Sequence, residues 1–237
     1  MDRRLELSRV EEIARGTIEL TFQRPEGFDF LAGQNLNLKV PELLFPDPKG
    51  PRRTFTIASA PHESVLRFAT RLSGSGYKQT LLRLAPGSRF EYLGPNGRFV
   101  YDPEVESAAY MAGGIGITPF RSMLLHGAHV SLKTPTFLFY GNADPESSAW
   151  HELFAGLAQT ETRFTYIPTM TNLAPEAPWP GERRWLSADL AADYLPDSAM
   201  TTFFLCGPPA MITALTDQLH EKGIEDTKIR HESLWGY

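Results

Sequence analysis

The chain has 237 residues, of which 42% are hydrophobic and 22% charged, and its net charge is −5. That length suits two domains of roughly 100 to 130 residues, and the acidic balance gives no electrostatic case for nucleic acid or an anionic membrane. A single cysteine, Cys206, excludes an internal disulfide, a four-cysteine zinc site and a cysteine-ligated iron–sulfur cluster within this chain.

The N-terminal "MDRRLELSRVEE" is charged and lacks the apolar stretch of a signal peptide. No run approaches the roughly 20 apolar residues of a membrane span. A soluble protein of a reducing compartment, cytoplasmic and monomeric, is expected. The runs "LELSRVEEI", "TIELTFQRP", "QNLNLKV", "RRTFTIASAP", "VLRFATRL" and "SRFEYLGP" show partial alternation between Gly and Pro punctuation, which predicts an antiparallel, barrel-like sheet. "GYKQTLLRLAPG" interrupts them as a short helix.

After "YDPEVES" the pattern changes to continuous apolar runs alternating with helical segments. Such strands are covered on both faces, as in a Rossmann-like parallel sheet. The predicted domains are therefore 1–103, a β-barrel, and 104–237, an α/β domain. "NLAPEAPWPGE" reads as a loop inside the second.

In "MAGGIGITPFRSML" a strand ends at Ala112, and Gly113, Gly114 and Gly116 form a turn. Thr118 is expected to cap a helix whose first residue is Pro119. A glycine turn feeding a helix N-terminus favours an anion, although the spacing is not that of the usual dinucleotide fingerprint. A plain tight turn is the alternative. "FFLCGPPAM" places Cys206 where an apolar strand breaks into Gly207 and Pro208, either as core filler or at a strand end that faces a ligand. His126, His129, His151 and Glu152 do not have metal-set spacing. The pairs Arg52-Arg53 and Arg183-Arg184 are too short for a nucleic-acid patch.

"RRTFTIASAP", "GPNGRF", "AGGIGITPF", "CGPPAM" and "ESLWGY", in this order across nearly the whole chain, resemble the ferredoxin–NADP reductase superfamily. The resemblance implies an FAD-binding antiparallel barrel followed by a nicotinamide-nucleotide domain. Arg53, Thr54, Phe55 and Thr56 correspond to the flavin motif, with Phe55 where the family often has tyrosine. Arg53 is then expected on the flavin pyrophosphate, Phe55 along the isoalloxazine or ribityl chain, and Thr56 near the reacting edge. Thr70 and Arg71 match flavin-contacting positions. Ser75, Gly76, Tyr77 and Lys78 offer a second phosphate site, which suits FAD better than FMN.

In the second half, Gly113, Gly114, Gly116, Ile117, Thr118 and Pro119 are assigned to the nicotinamide nucleotide, and Cys206, Gly207 and Pro208 to its ring. Glu232 matches a carboxylate that helps place the nicotinamide. Trp235 or Tyr237 is expected to cover the flavin, or to pin the terminus. Asn142 and Asp144 suit a free ribose diol, which favours NADH over NADPH, with Arg163, Arg183 and Arg184 left open for a 2′-phosphate. No metal is expected. The implied activity moves electrons from NAD(P)H through FAD to a separate acceptor, such as ferredoxin, flavodoxin or a small molecule. Alternatives are a non-catalytic flavin- or nucleotide-binding regulatory subunit, and a reductase that releases reduced flavin.

Overall fold

The computed structural model describes residues 3–233. Contacts divide these into two units: residues 3–101 with Thr118–His126, and Asp102–Ile117 with residues 127–233.

The first unit contains β1 (Arg4–Ala14), β2 (Thr17–Gln23), β3 (Asn35–Lys39), β4 (Arg52–Thr56), β5 (Val65–Arg71), α1 (Gly76–Leu81) and β6 (Arg89–Asn96). The strands form one antiparallel sheet in the order β4-β3-β6-β1-β2-β5. Its two edges meet just past β4, where the Ala58 amide donates to the Arg67 carbonyl at 2.8 Å. The barrel-like sheet expected from the alternating runs is thus present.

Alternation decides which side chains fill it. Leu5 and Leu7 of β1, Leu36 and Leu38 of β3, and Leu66 and Phe68 of β5 are buried together. Phe22 meets Phe68 and Phe90 edge-on at 5.6 and 5.0 Å between centroids. Each such side chain contributes on the order of 1.5–3 kcal/mol by leaving water. Glu19, on β2, is buried against Arg67, and the Thr21 hydroxyl donates to it at 3.2 Å.

The second unit is built on a parallel sheet in the order β11-β10-β7-β8-β9. Its strands are β7 (Ser107–Gly113), β8 (Thr136–Asn142), β9 (Phe164–Met170), β10 (Thr201–Gly207) and β11 (Ile229–Ser233). Every residue of β10 is buried, as a strand covered on both faces must be. The helices are α2 (Ile117–His129), α3 (His151–Thr160), α4 (Ala188–Tyr194) and α5 (Pro209–Glu221). Strand β11 escapes the sequence reading because "IRHES" is polar. Only its pairing with β10 makes it a strand.

Helix α2 begins earlier than expected. Gly114–Gly116 form a 3₁₀ turn that runs directly into Ile117, so Thr118 lies inside the first turn, buried, and does not cap it. Pro119 is tolerated there because the first amides of a helix lack intrahelical acceptors. Residues 118–126 of α2 belong to the first unit, and Arg121 and Ser122 bond within it. The Ser122 hydroxyl donates to the Ser59 carbonyl at 2.6 Å, and Arg121 holds Glu63 through both nitrogens at 2.8 and 3.1 Å.

Candidate functional site

The residues expected to face a flavin lie on β4, β5 and α1 of the first unit. On β4, Arg53 and Phe55 share one face and Thr54 and Thr56 the other. Phe55 joins the barrel core, 6.4 Å from Phe68 and 6.0 Å from Tyr77 between ring centroids. Thr54 is exposed and accepts from the Asn37 amide at 3.4 Å, whereas Thr56 is buried. Thr70, near the end of β5, is buried and Arg71 is exposed.

Arg53 extends across the start of α1. Its guanidinium lies 4.9 Å from the centre of the Tyr77 ring. One nitrogen donates to the Lys49, Gly50 and Arg52 carbonyls, and the other to Asp47 Oδ1 at 2.6 Å. Ser75 caps α1 through its hydroxyl, which accepts from the Lys78 amide at 3.4 Å. The Tyr77 amide donates to Asp47 Oδ2 at 2.9 Å, and the buried Tyr77 hydroxyl donates to the Leu38 carbonyl at 3.1 Å. Lys78 Nζ donates to the Arg71 carbonyl at 2.7 Å. Burial, reinforced by the charges of Arg53 and Lys49, lowers its pKa to about 8.

Asp47 was not singled out from the sequence, because "PDPKG" reads as an ordinary turn. Burial raises its pKa, but hydrogen bonds from the Tyr77 and Lys49 amides and from Arg53 outweigh this and hold it below the ordinary carboxylate value. Arg53 and the Tyr77 amide therefore already hold a carboxylate, one oxygen each, and are donors of the kind a phosphate would need.

The residues expected to meet a nicotinamide nucleotide lie at the C-terminal ends of β7, β8, β10 and β11. In a parallel sheet this is the ligand-binding end. Cys206 pairs in register with Ala112 on one side and Glu232 on the other. Gly116 lies so close that a side chain there would strike the Cys206 carbonyl. Gly114 has φ +53° with open space where a Cβ would point, which leaves bare backbone for a ligand to approach. Pro208 precedes α5, and Gly113 packs toward Pro208 and Met211.

Cys206 is fully buried. Burial first, and the Glu232 charge second, push its thiol well above the ordinary range. It therefore stays protonated as a neutral thiol, without the thiolate character a nucleophile needs.

Asn142 ends β8, where its carbonyl accepts from the Thr171 amide at 3.1 Å. Asp144 is turned inward, and its carboxylate caps the 3₁₀ turn Pro145–Ser147 by accepting from the Ser147 amide at 3.0 Å. Trp235 and Tyr237 lie outside the described residues.

Residues 110–217 match the family model of the oxidoreductase NAD-binding domain. The chain is 30% identical to ferredoxin–NADP reductase B of Sorangium cellulosum over 211 residues, covering 84% of this chain and 83% of that protein. It is also 30% identical to the phenol hydroxylase P5 protein of Acinetobacter pittii over 220 residues, covering 91% of this chain and 60% of that longer protein. The fold matches that of a cytochrome P450 reductase from Amycolatopsis with a TM-score of 0.82 at 24% identity, covering 98% of this chain and 69% of that one.

Fold and similarity define an NAD(P)H-dependent oxidoreductase. The chain belongs to the ferredoxin–NADP reductase superfamily. Among the described residues, no helix is long and apolar enough to cross a membrane.

Proposed function

We propose that the chain takes reducing equivalents from NADH and delivers them to a separate acceptor, either a ferredoxin- or oxygenase-type protein or a small molecule. The observation that carries this reading is the seat at the strand ends, where the Gly113–Gly116 turn closes on the backbone of Cys206. When bound, FAD would supply the two-electron and one-electron redox chemistry.

The protein's part is to bind, orient and exclude. Arg53, the Tyr77 and Lys78 amides and the Ser75 hydroxyl would hold the flavin phosphates, with Gly76 letting the Phe45 and Pro46 backbone close against the start of α1. Thr54, Thr56, Thr70 and Arg71 would contact the rest of the flavin, and Phe55 would brace them from the core. Gly113, Gly114, Gly116, Ile117, Thr118 and Pro119 would take the nucleotide pyrophosphate. Cys206, Gly207 and Pro208 would border the nicotinamide, and Glu232 would accept a hydrogen bond from its carboxamide.

NADH is favoured over NADPH because the candidate cations have other work. Arg184 pairs with Glu182 and Asp193, Arg163 donates to the Lys133 carbonyl, and Arg183 to the Ala174 and Ala177 carbonyls. In this reading the protein works as a monomer in the cytoplasm, which light scattering and cell fractionation check.

Anaerobic stopped-flow mixing with NADH and with NADPH tests the proposal. Rapid bleaching of the flavin absorbance by NADH, with a lower kcat/KM for NADPH, is expected. A flavin that stays oxidised would instead identify a non-catalytic binding subunit.

A further inference from the structure

The loop between β3 and β4 brings an anion of its own to Arg53. The Asp47 side chain is only 2% exposed. It accepts from Arg53 at 2.6 Å, the Tyr77 amide at 2.9 Å and the Lys49 amide at 2.9 Å. Two of these donors are the groups assigned above to flavin phosphate. The loop is also seated on α1. The Leu44 amide donates to the Thr80 hydroxyl at 3.1 Å, and the Phe45 and Pro46 carbonyls lie where any side chain at Gly76 would have to go.

The single Tyr77 N–H cannot serve a carboxylate and a phosphate at once, and like charges brought together on one guanidinium in a partly desolvated site repel strongly. We propose that Asp47 is a resident competitor for the flavin phosphate: its carboxylate holds Arg53 and the Tyr77 amide in the flavin-free barrel, and FAD displaces it on binding. The inference rests on the assignment of Arg53 to flavin phosphate. Two consequences follow. The flavin-free barrel keeps its cradle organised, and the affinity for phosphorylated flavins is lower than the cradle alone would provide.

Flavin-stripped wild type and the variants Asp47→Asn, Asp47→Ala and Arg53→Gln are titrated with FAD, FMN and riboflavin, and Kd is read from quenching of flavin fluorescence. Both Asp47 variants should bind FAD and FMN about tenfold or more tighter, because a charged competitor is lost, with riboflavin little changed. Arg53→Gln should weaken FAD and FMN by a similar factor. If Arg53→Gln weakens FAD while neither Asp47 variant tightens it, the competitor is overturned and the phosphate assignment stands. If Arg53→Gln leaves FAD and FMN unchanged, the phosphate assignment falls, and this inference with it.

A measurement on wild type alone guards against variants that fail to fold. On FAD addition, hydrogen exchange in residues 44–50 should rise relative to riboflavin addition. Equal or greater protection by FAD would overturn the proposal.

Discussion

Gly116 stands against the main chain of Cys206, so a Cβ at position 116 would strike the Cys206 carbonyl oxygen. That carbonyl belongs to a buried strand of the parallel sheet and cannot move aside as a flexible side chain would. Gly116→Ala should therefore cost roughly 1–3 kcal/mol as an overpacking substitution and abolish NADH binding. Gly114→Ala meets open space but inherits φ +53°, which costs about 1–2 kcal/mol for a left-handed residue. Urea denaturation combined with NADH titration checks both. A Gly116→Ala protein that binds NADH like wild type would mean that the turn does not carry the nucleotide.

Arg121 is 8% exposed and is gripped by Glu63 through both its terminal nitrogens. Removing the carboxylate in Glu63→Ala leaves a buried guanidinium with the Ala58 carbonyl but without its counter-charge, which should cost at or below the low end of the roughly 3–5 kcal/mol typical of breaking a buried ion pair. Burial raises the Glu63 pKa, but the hydrogen bond and charge of Arg121 outweigh this and lower it overall. A carboxyl depressed on folding stabilises above its unfolded pKa, about 4.3, and loses that contribution as pH falls through the lower folded value. The stability gap between wild type and Glu63→Ala should thus narrow on acidification below pH ~4, as measured by urea unfolding.

Cys206 predicts a different pair of results. Its full burial means that thiol reagents should leave the native protein unmodified and label it only in denaturant. Cys206→Ser buries a hydroxyl in an apolar setting, at a cost of about 1–3 kcal/mol. Because the residue borders the proposed nicotinamide seat, flavin reduction by NADH should also slow, by roughly 10- to 1000-fold. Thermal melts and stopped-flow traces separate the two effects. A destabilised variant reduced at the wild-type rate would make Cys206 a packing residue alone.

Lys78 gives the barrel a signature at alkaline pH. Its folded pKa of about 8 lies below the roughly 10.4 of an unfolded lysine. Between these values the unfolded chain binds more protons, so this group's contribution to stability rises with pH across the window. Lys78→Met removes the titration. The melting temperature of wild type relative to Lys78→Met should therefore climb between pH ~8 and ~10, and a flat difference would place the Lys78 ammonium in a solvated setting.

The local parts of this protein were legible in its sequence. Alternating leucines and phenylalanines predict the barrel strands, and the apolar run "FFLC" predicts a strand covered on both faces, because burial pattern follows strand geometry. The glycine turn after Ala112 and the Arg53–Thr56 stretch were also visible, since each is a property of consecutive residues. The tertiary structure decided what depends on distance through space. It paired "IRHES" with β10, turned the Asp144 carboxylate into a cap, and sent Phe55 into the core. It also brought Glu63 to Arg121 across 58 residues and Asp47 to Tyr77 across 30. A charged side chain's partner is set by where the chain returns, and composition and periodicity carry no record of that. For this reason the sequence showed Arg53, while the carboxylate that Arg53 holds became visible only in the fold.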